Sequence, residues 1–522
     1  MRNFWRSNWA VVVVLGLALV LRSAYLNGSF WLDEAAQALE ADRSWREQLQ
    51  IVDDFQPPLL HVLTFVAIQF SKQEWWLRWW GALLPGLLTV WGTYELGRKL
   101  SSKRVGLLAS LLLATSSFHI YFSQELRPYS LSAMLAVWSW FFLLEAEQVG
   151  QDSYQLPRGN IWDKILGWLP VKRDFFLFLL MSVLGVYSSY LYPFVLAGQV
   201  LWLMIRRRLT QVAYAVLIPS VAFLPWLPTF WRQLQAGQNL RQTFPGWENI
   251  VSFSWWRAPT LTVGKFLYGV VDLELDGWYI GWTLLWLVLV AVVVVSHSRR
   301  FYKQNRDRWS LLVYMMIVPF VLASVVSWWV PVIQPKRVIY LLPIAYVFVS
   351  FLIFGRRRDW RELSWASWGL LAWLLFFNLA GVVNYYTQPA SQRENWRHLL
   401  ATLHQEYDPR ETVAVFAYQA PFSPWMWYER DQPVPFVTVS TGSYDTSTMP
   451  DLTTVLQPVT NYQRVIVFDY LRSLTDSRNL VPQTLQSWGW VEEKVLVYPN
   501  IGMIRIYSPV AALERAADES RH

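Results

Sequence analysis

The chain contains no cysteine, which excludes disulfide staples and thiolate metal sites. Charge is scarce. Asp, Glu, Lys and Arg make up 16% of the 522 residues, well below the roughly 25% of an ordinary soluble domain. Histidine is sparse at six residues, and His61 has no partner at metal-ligand spacing, so it is not read as a ligand. No Gly-rich phosphate loop, internal repeat or low-complexity tract is present. The net charge is +8, but the basic residues sit in short segments between apolar runs. No basic-aromatic surface marks nucleic acid as a partner.

What is abundant is apolar: 54% of the residues, with 34 Trp, whose indole rings favour the bilayer interface. Crossing a bilayer takes roughly 20 apolar residues. Runs near 9–26, 79–98, 105–121, 129–146, 174–190, 191–205, 211–231, 278–296, 309–330, 338–355 and 364–384 predict a mainly α, polytopic membrane protein with about eleven transmembrane helices. The first run follows Arg2 and Arg6 with no small-residue cleavage site after it, so it reads as an uncleaved helix.

Alternation assigns the sides. One side collects Arg2, Arg6, Arg98, Lys99, Lys103, Arg104, Lys164, Lys172, Arg173, Arg206, Arg207, Arg208, the segment Arg299 to Arg308, and Arg356, Arg357 and Arg358. Every second segment is basic, so that side is the cytoplasm. The run 57–70 is short and would break the alternation if it crossed; it is placed as an interfacial or half-inserted helix in an outer loop of about 27–78, with a genuine span there as the main topological alternative. The organisation expected is a transmembrane catalytic domain over 1–384 and a small extracytoplasmic α/β domain over 385–522. In that tail a helix at 391–406 accompanies strands from Val413 to Tyr418, Arg464 to Asp469, Lys494 to Tyr498 and Ile501 to Tyr507. The last dozen residues read as frayed. The localisation expected is a bacterial plasma membrane, with the N-terminus cytoplasmic and the C-terminal domain outside.

The outer side carries the residues able to do chemistry. Asp33 and Glu34 follow the first helix, where a carboxylate can serve as a general base toward an acceptor hydroxyl or help bind a divalent cation; acids at a helix start are also ordinary. Gln56-Pro57-Pro58 heads the short helix. Glu125 and Arg127, before Tyr129, lie in the second outer loop as an acid and a cation for substrate, or as a local ion pair. Lys336 and Arg337 oppose the positive-inside trend. An anionic phosphate is their natural partner, and snorkelling to headgroups is the plainer account. Arg78 is a weaker candidate of the same kind.

Together these pieces resemble the GT-C superfamily of membrane glycosyltransferases, nearest its protein O-mannosyltransferase and lipid A aminoarabinose transferase branch. The resemblance is carried by Asp33-Glu34, Pro57-Pro58 with its short helix, Leu77-Arg78, the stretch from Tyr121 through Gln124-Glu125-Leu126-Arg127-Pro128-Tyr129 to Leu131, Leu224-Pro225-Trp226-Leu227-Pro228, and Lys336-Arg337 with Tyr340-Leu341-Leu342-Pro343. It covers about 10–380. It implies a GT-C-type bundle and an inverting glycosyltransferase, hexosyl- or pentosyl-, of the cell envelope. The enzyme moves a sugar from a polyprenyl-phosphate donor to an acceptor hydroxyl on the extracytoplasmic face. The acceptor implied is a protein, a glycolipid or a cell-wall polymer. Asp33 then takes the acceptor proton, and Lys336 and Arg337 stabilise charge on the leaving phosphate. Glu34 and Glu125 position sugar hydroxyls or hold a cation, and Arg127 shares the phosphate or fixes Glu125. The second loop reads Glu-Leu-Arg-Pro-Tyr, unlike the Arg-Tyr and trailing Asp of some eukaryotic relatives, and leaves metal use open. Two other classes remain: a lipid or sugar transporter or flippase without transferase chemistry, and a non-catalytic sensor whose tail binds ligand. A transporter places its charges near the bilayer midplane in paired halves, and neither feature is present.

Overall fold

The computed structural model describes residues 2–48, 50–52, 54–148, 173–243, 257–269, 277–296, 305–330, 332–354 and 360–510. Lys164, Lys172, Arg299, Arg300, Arg356, Arg357, Arg358 and the chain beyond 510 lie outside these. Contacts gather the chain into two units. The first holds Met1–Leu26, Trp45–Gln233 and Ser252–Thr387; the second holds Asn27–Ser44, Leu234–Val251 and Gln388–His522. The segment 27–44, grouped by sequence with the membrane domain, clusters with the second unit.

The first unit is helical. Its helices include Arg2–Ser23, Leu84–Leu100, Lys103–Thr115, Tyr129–Gln148, Arg173–Val186 and Tyr192–Ile205. Further along come Leu209–Phe223, Gly277–Ser296, Arg306–Val326, Leu341–Phe354 and Trp365–Thr387. Each apolar run read from the sequence is thus helical. Among the described residues, five helical stretches are long and apolar enough to cross a bilayer: Tyr129–Glu147, Leu209–Leu240, Gly277–Ser296, Arg306–Val326 and Trp365–Thr387. Trp9–Ser23, Leu59–Ile68, Tyr192–Ile205 and Leu341–Phe354 are shorter apolar helices.

Small residues set the closest packing. Leu84–Leu100 and Lys103–Thr115 form a hairpin whose turn is capped by Ser102, which accepts from the Val105 N–H at 3.4 Å. A Cβ on Gly106 would lie 2.4 Å from the Tyr94 carbonyl oxygen, and one on Gly97 2.8 Å from the Gly106 Cα. The helices therefore touch backbone to backbone, as small residues allow between apolar helices. The expected run 105–121 is interrupted at Ser116, which separates Lys103–Thr115 from Ser117–Phe122. A helix end leaves carbonyls without intrahelical partners, and the fully buried Arg22 uses two of them. Its Nη1 donates to Ala114 O at 2.9 Å and its Nη2 to Leu113 O at 3.1 Å, with His119 Nδ1 at 2.8 Å.

The second unit is built on a five-stranded sheet in the order β2-β1-β3-β5-β4. The strands are β1 (Thr412–Phe416), β2 (Val437–Ser440), β3 (Arg464–Phe468), β4 (Trp490–Tyr498) and β5 (Gly502–Pro509). β1 pairs parallel with β2 and β3, while β5 runs antiparallel to β3 and β4. The two-residue period of a strand divides its side chains between two cores. Val413, Val415, Val465 and Val467 face Leu456, Val481 and Leu485. Ala414, Phe416, Ile466 and Phe468 face Leu399, Leu400, Leu403, Trp396 and Trp425. β1 is buried along its whole length, as a central strand covered on both faces must be. The expected helix at 391–406 is Trp396–Glu406, started by Asn395, whose side chain accepts from the His398 N–H at 3.3 Å.

Candidate active site

The acidic pair lies in the second unit. The helix Leu32–Ala41 begins after Trp31, whose backbone is extended and whose side chain makes no cap hydrogen bond. Asp33 and Glu34 occupy its first turn, where the helix dipole favours negative charge. Glu34 is fully buried and its Oε2 lies 3.0 Å from Arg393 Nη1. The next residue, Glu394, accepts from the Tyr470 hydroxyl at 2.8 Å and the Trp396 indole N–H at 2.7 Å. Its carboxylate also takes a backbone hydrogen bond from Leu32. Burial, with the negative charge of Asp33 adding to it, pushes the Glu394 carboxyl up to about 7 despite those donors. Burial likewise raises the hydroxyls of Tyr418 and Tyr470, each of which also feels Asp33. Tyr418 follows β1 and Tyr470 follows β3, so Asp33 faces the carboxyl ends of two parallel strands. That edge, where the order turns back across β1, is where open sheets hold ligands. Glu34 faces a guanidinium in the place where a divalent ion would need open oxygen ligands. With Glu34 paired to Arg393, the acidic pair does not fit a metal.

The other candidates lie in the first unit. Pro57 and Pro58 lead into Leu59–Ile68, with Pro58 at the N-cap, where the missing N–H costs nothing. Just before them, Asp54 takes a two-pronged grip from Arg127: Nη1 to Oδ2 at 3.0 Å and Nη2 to Oδ1 at 3.2 Å. The two side chains are 11% and 14% exposed. Gln56 Nε2 donates to Asp54 Oδ2 at 2.5 Å and lies 3.1 Å from Nε2 of the fully buried His61. Gln233 Nε2 donates to the carbonyls of Ile51 at 2.9 Å and Asp54 at 2.7 Å. Its Oε1 accepts from Tyr190, which in turn accepts from the Trp226 indole at 2.9 Å. The loop before Pro57 is thereby fixed by side chains from two distant segments, with Gln233 itself held by Tyr190.

Lys336 and Arg337 are half-buried in the turn before Leu341–Phe354. The Lys336 ammonium lies 5.6 Å from the centroid of the Tyr129 ring, and Arg337 Nη1 donates to Val332 O at 3.4 Å. Glu125 is buried at the second loop. Arg78 is fully buried and donates to Leu26 O at 2.9 Å. Of the residues singled out by sequence, the structure brings Lys336 to Tyr129. Asp33 and Glu34 belong to the second unit; Arg78, Glu125, Arg127, Tyr129, Lys336 and Arg337 belong to the first. Sequence reasoning missed Asp54, Tyr190, Gln233, Arg393 and Glu394. Asp54 stands two residues before Gln56-Pro57-Pro58, and Arg393-Glu394 are adjacent charges just ahead of an amphipathic helix. Those were the signals available.

Solved structures share this architecture. ArnT from Cupriavidus metallidurans in the apo state aligns over 97% of this chain and 99% of its own, at TM-score 0.55 and 14% identity. The same protein bound to undecaprenyl phosphate aligns over the same shares at TM-score 0.53 and 14% identity. The archaeal oligosaccharyltransferase AglB from Archaeoglobus fulgidus, in complex with an inhibitory peptide and a dolichol-phosphate, aligns over 96% of this chain and 74% of its own at TM-score 0.52 and 13% identity. No curated protein sequence matches the chain. The chain shares the fold of these solved structures. Residues 56–159 match the sequence profile of the dolichyl-phosphate-mannose-protein mannosyltransferase family.

Proposed function

We propose that the protein is an inverting glycosyltransferase that moves a sugar from a polyprenyl phosphate to an acceptor hydroxyl on the extracytoplasmic face of the membrane. One observation carries the reading. The cationic turn that holds Lys336 packs on Tyr129, and Tyr129 lies inside the segment matched to a family named for a lipid-phosphate sugar donor. A family match to an enzyme does not favour a transporter.

Asp33 is the base. Its carboxylate takes the proton of the acceptor hydroxyl as that oxygen bonds to the anomeric carbon. The bond from that carbon to the phosphate oxygen breaks, its electron pair stays on the phosphate, and the anomeric configuration inverts. Lys336 and Arg337 meet the charge that develops on the phosphate, where cations placed in advance are most effective. Tyr129 holds Lys336 in place. Arg127, oriented by Asp54, and the buried Glu125 bind the donor's polar head, while Arg78 anchors the backbone after the first helix at Leu26. Glu34 orients Asp33 through its pair with Arg393. A donor reached laterally from the bilayer needs no nucleotide-binding domain. The domain plan that goes with this reading is a membrane catalytic domain over 1–384 and an extracytoplasmic domain over 385–522.

The test is mass spectrometry of lipid-linked sugars in cells that lack the chain. A polyprenyl-phosphate sugar should accumulate and return to normal when the wild-type chain is restored. Asp33→Asn should insert and fold yet fail to clear it, since losing a general base costs about 10²–10⁴-fold in rate. Clearance by Asp33→Asn at the wild-type level rules out the base assignment.

A further inference from the structure

Asp33 lies between two residues that are held from one place in the tail. Leu32, before it, is bonded through its backbone to the Glu394 carboxylate. Glu34, after it, is paired with Arg393 at 3.0 Å. A helix start leaves backbone N–H groups without partners, and Trp31 offers no side-chain cap; Glu394, far along the sequence, supplies that acceptor. The dipeptide is itself fixed. It precedes Asn395, the cap of Trp396–Glu406, whose Trp396, Leu399, Leu400 and Leu403 are buried against the sheet. Tyr470, just past β3, and Trp396 hold both Glu394 oxygens. The chain ahead of Leu32 is tied to the same region, because the Arg397 N–H donates to Ser29 Oγ at 3.2 Å and the Phe30 N–H to the Tyr428 hydroxyl at 2.7 Å.

We infer that Arg393 and Glu394 are positioning residues for the reaction, pinning the first turn of Leu32–Ala41 from both sides of Asp33 so that the tail unit sets the aim of the base. The inference rests on the reading of Asp33 as base. It makes the tail unit a working part of the transferase rather than an appended binding module. Misplacing a reacting group by about 1 Å can cost about 10²-fold in rate, so a loosened turn should cripple transfer even with Asp33 intact.

Hydrogen exchange on the full-length protein in detergent reads the pinning directly. In Arg393→Ala and Glu394→Ala, exchange over residues 31–41 should rise by about tenfold or more, as expected of a locally opened segment, while 412–416 and 464–468 in β1 and β3 keep wild-type protection. In cells, both variants should let the lipid-linked sugar accumulate as the chain's absence does. Arg393→Lys, which keeps a cation opposite Glu34, should restore most clearance. Should the protein carrying an alanine variant fail to accumulate, Arg393→Gln and Glu394→Met, which lack the cation and the acceptor respectively, carry the same readout. Unchanged exchange over 31–41 overturns the inference, and so does raised exchange with normal clearance in a background where Asp33→Asn is inactive. Exchange reports the pinning and Asp33→Asn reports the base, so the two can fail separately.

Discussion

Glu394 should make the second unit less stable as the solution turns alkaline. Its carboxyl is pushed from an ordinary 4.5 to about 7, chiefly by burial. A group whose folded pKa lies above its unfolded one stabilises the fold while protonated. That contribution is complete below 4.5 and is lost as the pH rises through about 7. A shift of that size corresponds to about 3 kcal/mol at about 1.4 kcal/mol for each pKa unit. The full-length protein, followed by hydrogen exchange at β1 and β3 and corrected for intrinsic exchange, should show opening of the sheet becoming easier from pH 5 to pH 8 by an amount approaching that figure. Glu394→Gln keeps a neutral side chain of the same shape at every pH, so its curve should be flatter by the same amount. It should sit near the wild type at pH 5 and above it at pH 8. Parallel curves for the two proteins would refute the argument, because the ionisation responsible would then lie elsewhere.

Other expectations follow from single contacts. Asp54→Ala deprives the largely buried Arg127 guanidinium of its carboxylate and should cost about 3 kcal/mol, read as a lower melting temperature in detergent. Adding Arg127→Met should recover part of the loss, and equal melting of the single and double variants would count against the pair. Gly106→Ala puts a methyl 2.4 Å from the Tyr94 carbonyl oxygen, a backbone atom that cannot swing aside. It should cost about 1–3 kcal/mol and lower the yield of folded protein, whereas Gly16→Ala, with nothing within 4 Å, should not. Lys336→Met should reduce sugar transfer by about 10²–10³-fold with melting unchanged, and Lys336→Arg should retain more activity; normal clearance by the methionine variant would remove Lys336 from the site.

Much of the architecture was legible because it is written in local pattern. Apolar runs of about 20 residues satisfy their backbone in a bilayer as helices, and the tail's strands announce themselves as short runs rich in β-branched and aromatic residues. Where a feature depended on local detail alone, the reading strayed by a few residues. The run ending near 231 continues to Thr243 because Pro225 falls in the first turn of a 3-10 segment, and Pro228 in the first turn of the helix Leu227–Thr243, positions that need no N–H donor. β2 was missed because a strand of four residues, Val437–Ser440, lies in a Pro, Thr and Ser stretch, and an edge strand with one paired side needs little apolar pattern. The partners of the charged residues were not legible. Nothing near Glu34 or Arg127 points to Arg393 or Asp54, since those pairs close loops of 359 and 73 residues and exist only once the chain has folded.

That difference decides which charges can do work. A charge close to a bilayer is expensive unless it is paired or solvated, so a carboxylate or guanidinium there demands an explanation. Here Glu34 and Arg127 are each met by a protein partner of opposite sign, which fixes the orientation of both side chains. Lys336 is met differently. The ring of Tyr129 attracts a cation through its face but accepts no full hydrogen bond, and an ammonium has three N–H donors on its accessible sides. A phosphate oxygen that meets Lys336 does not compete with the Tyr129 ring for a hydrogen bond, and at Arg127 it shares the guanidinium with Asp54. In the proposed reaction Lys336 meets the phosphate, and salt tests that role. Transfer by the wild type and by Arg127→Lys should respond alike to ionic strength, while Lys336→Gln should weaken that response, because only there does the substitution remove a charge that meets the anionic substrate. An unaltered salt response in Lys336→Gln would send the phosphate elsewhere.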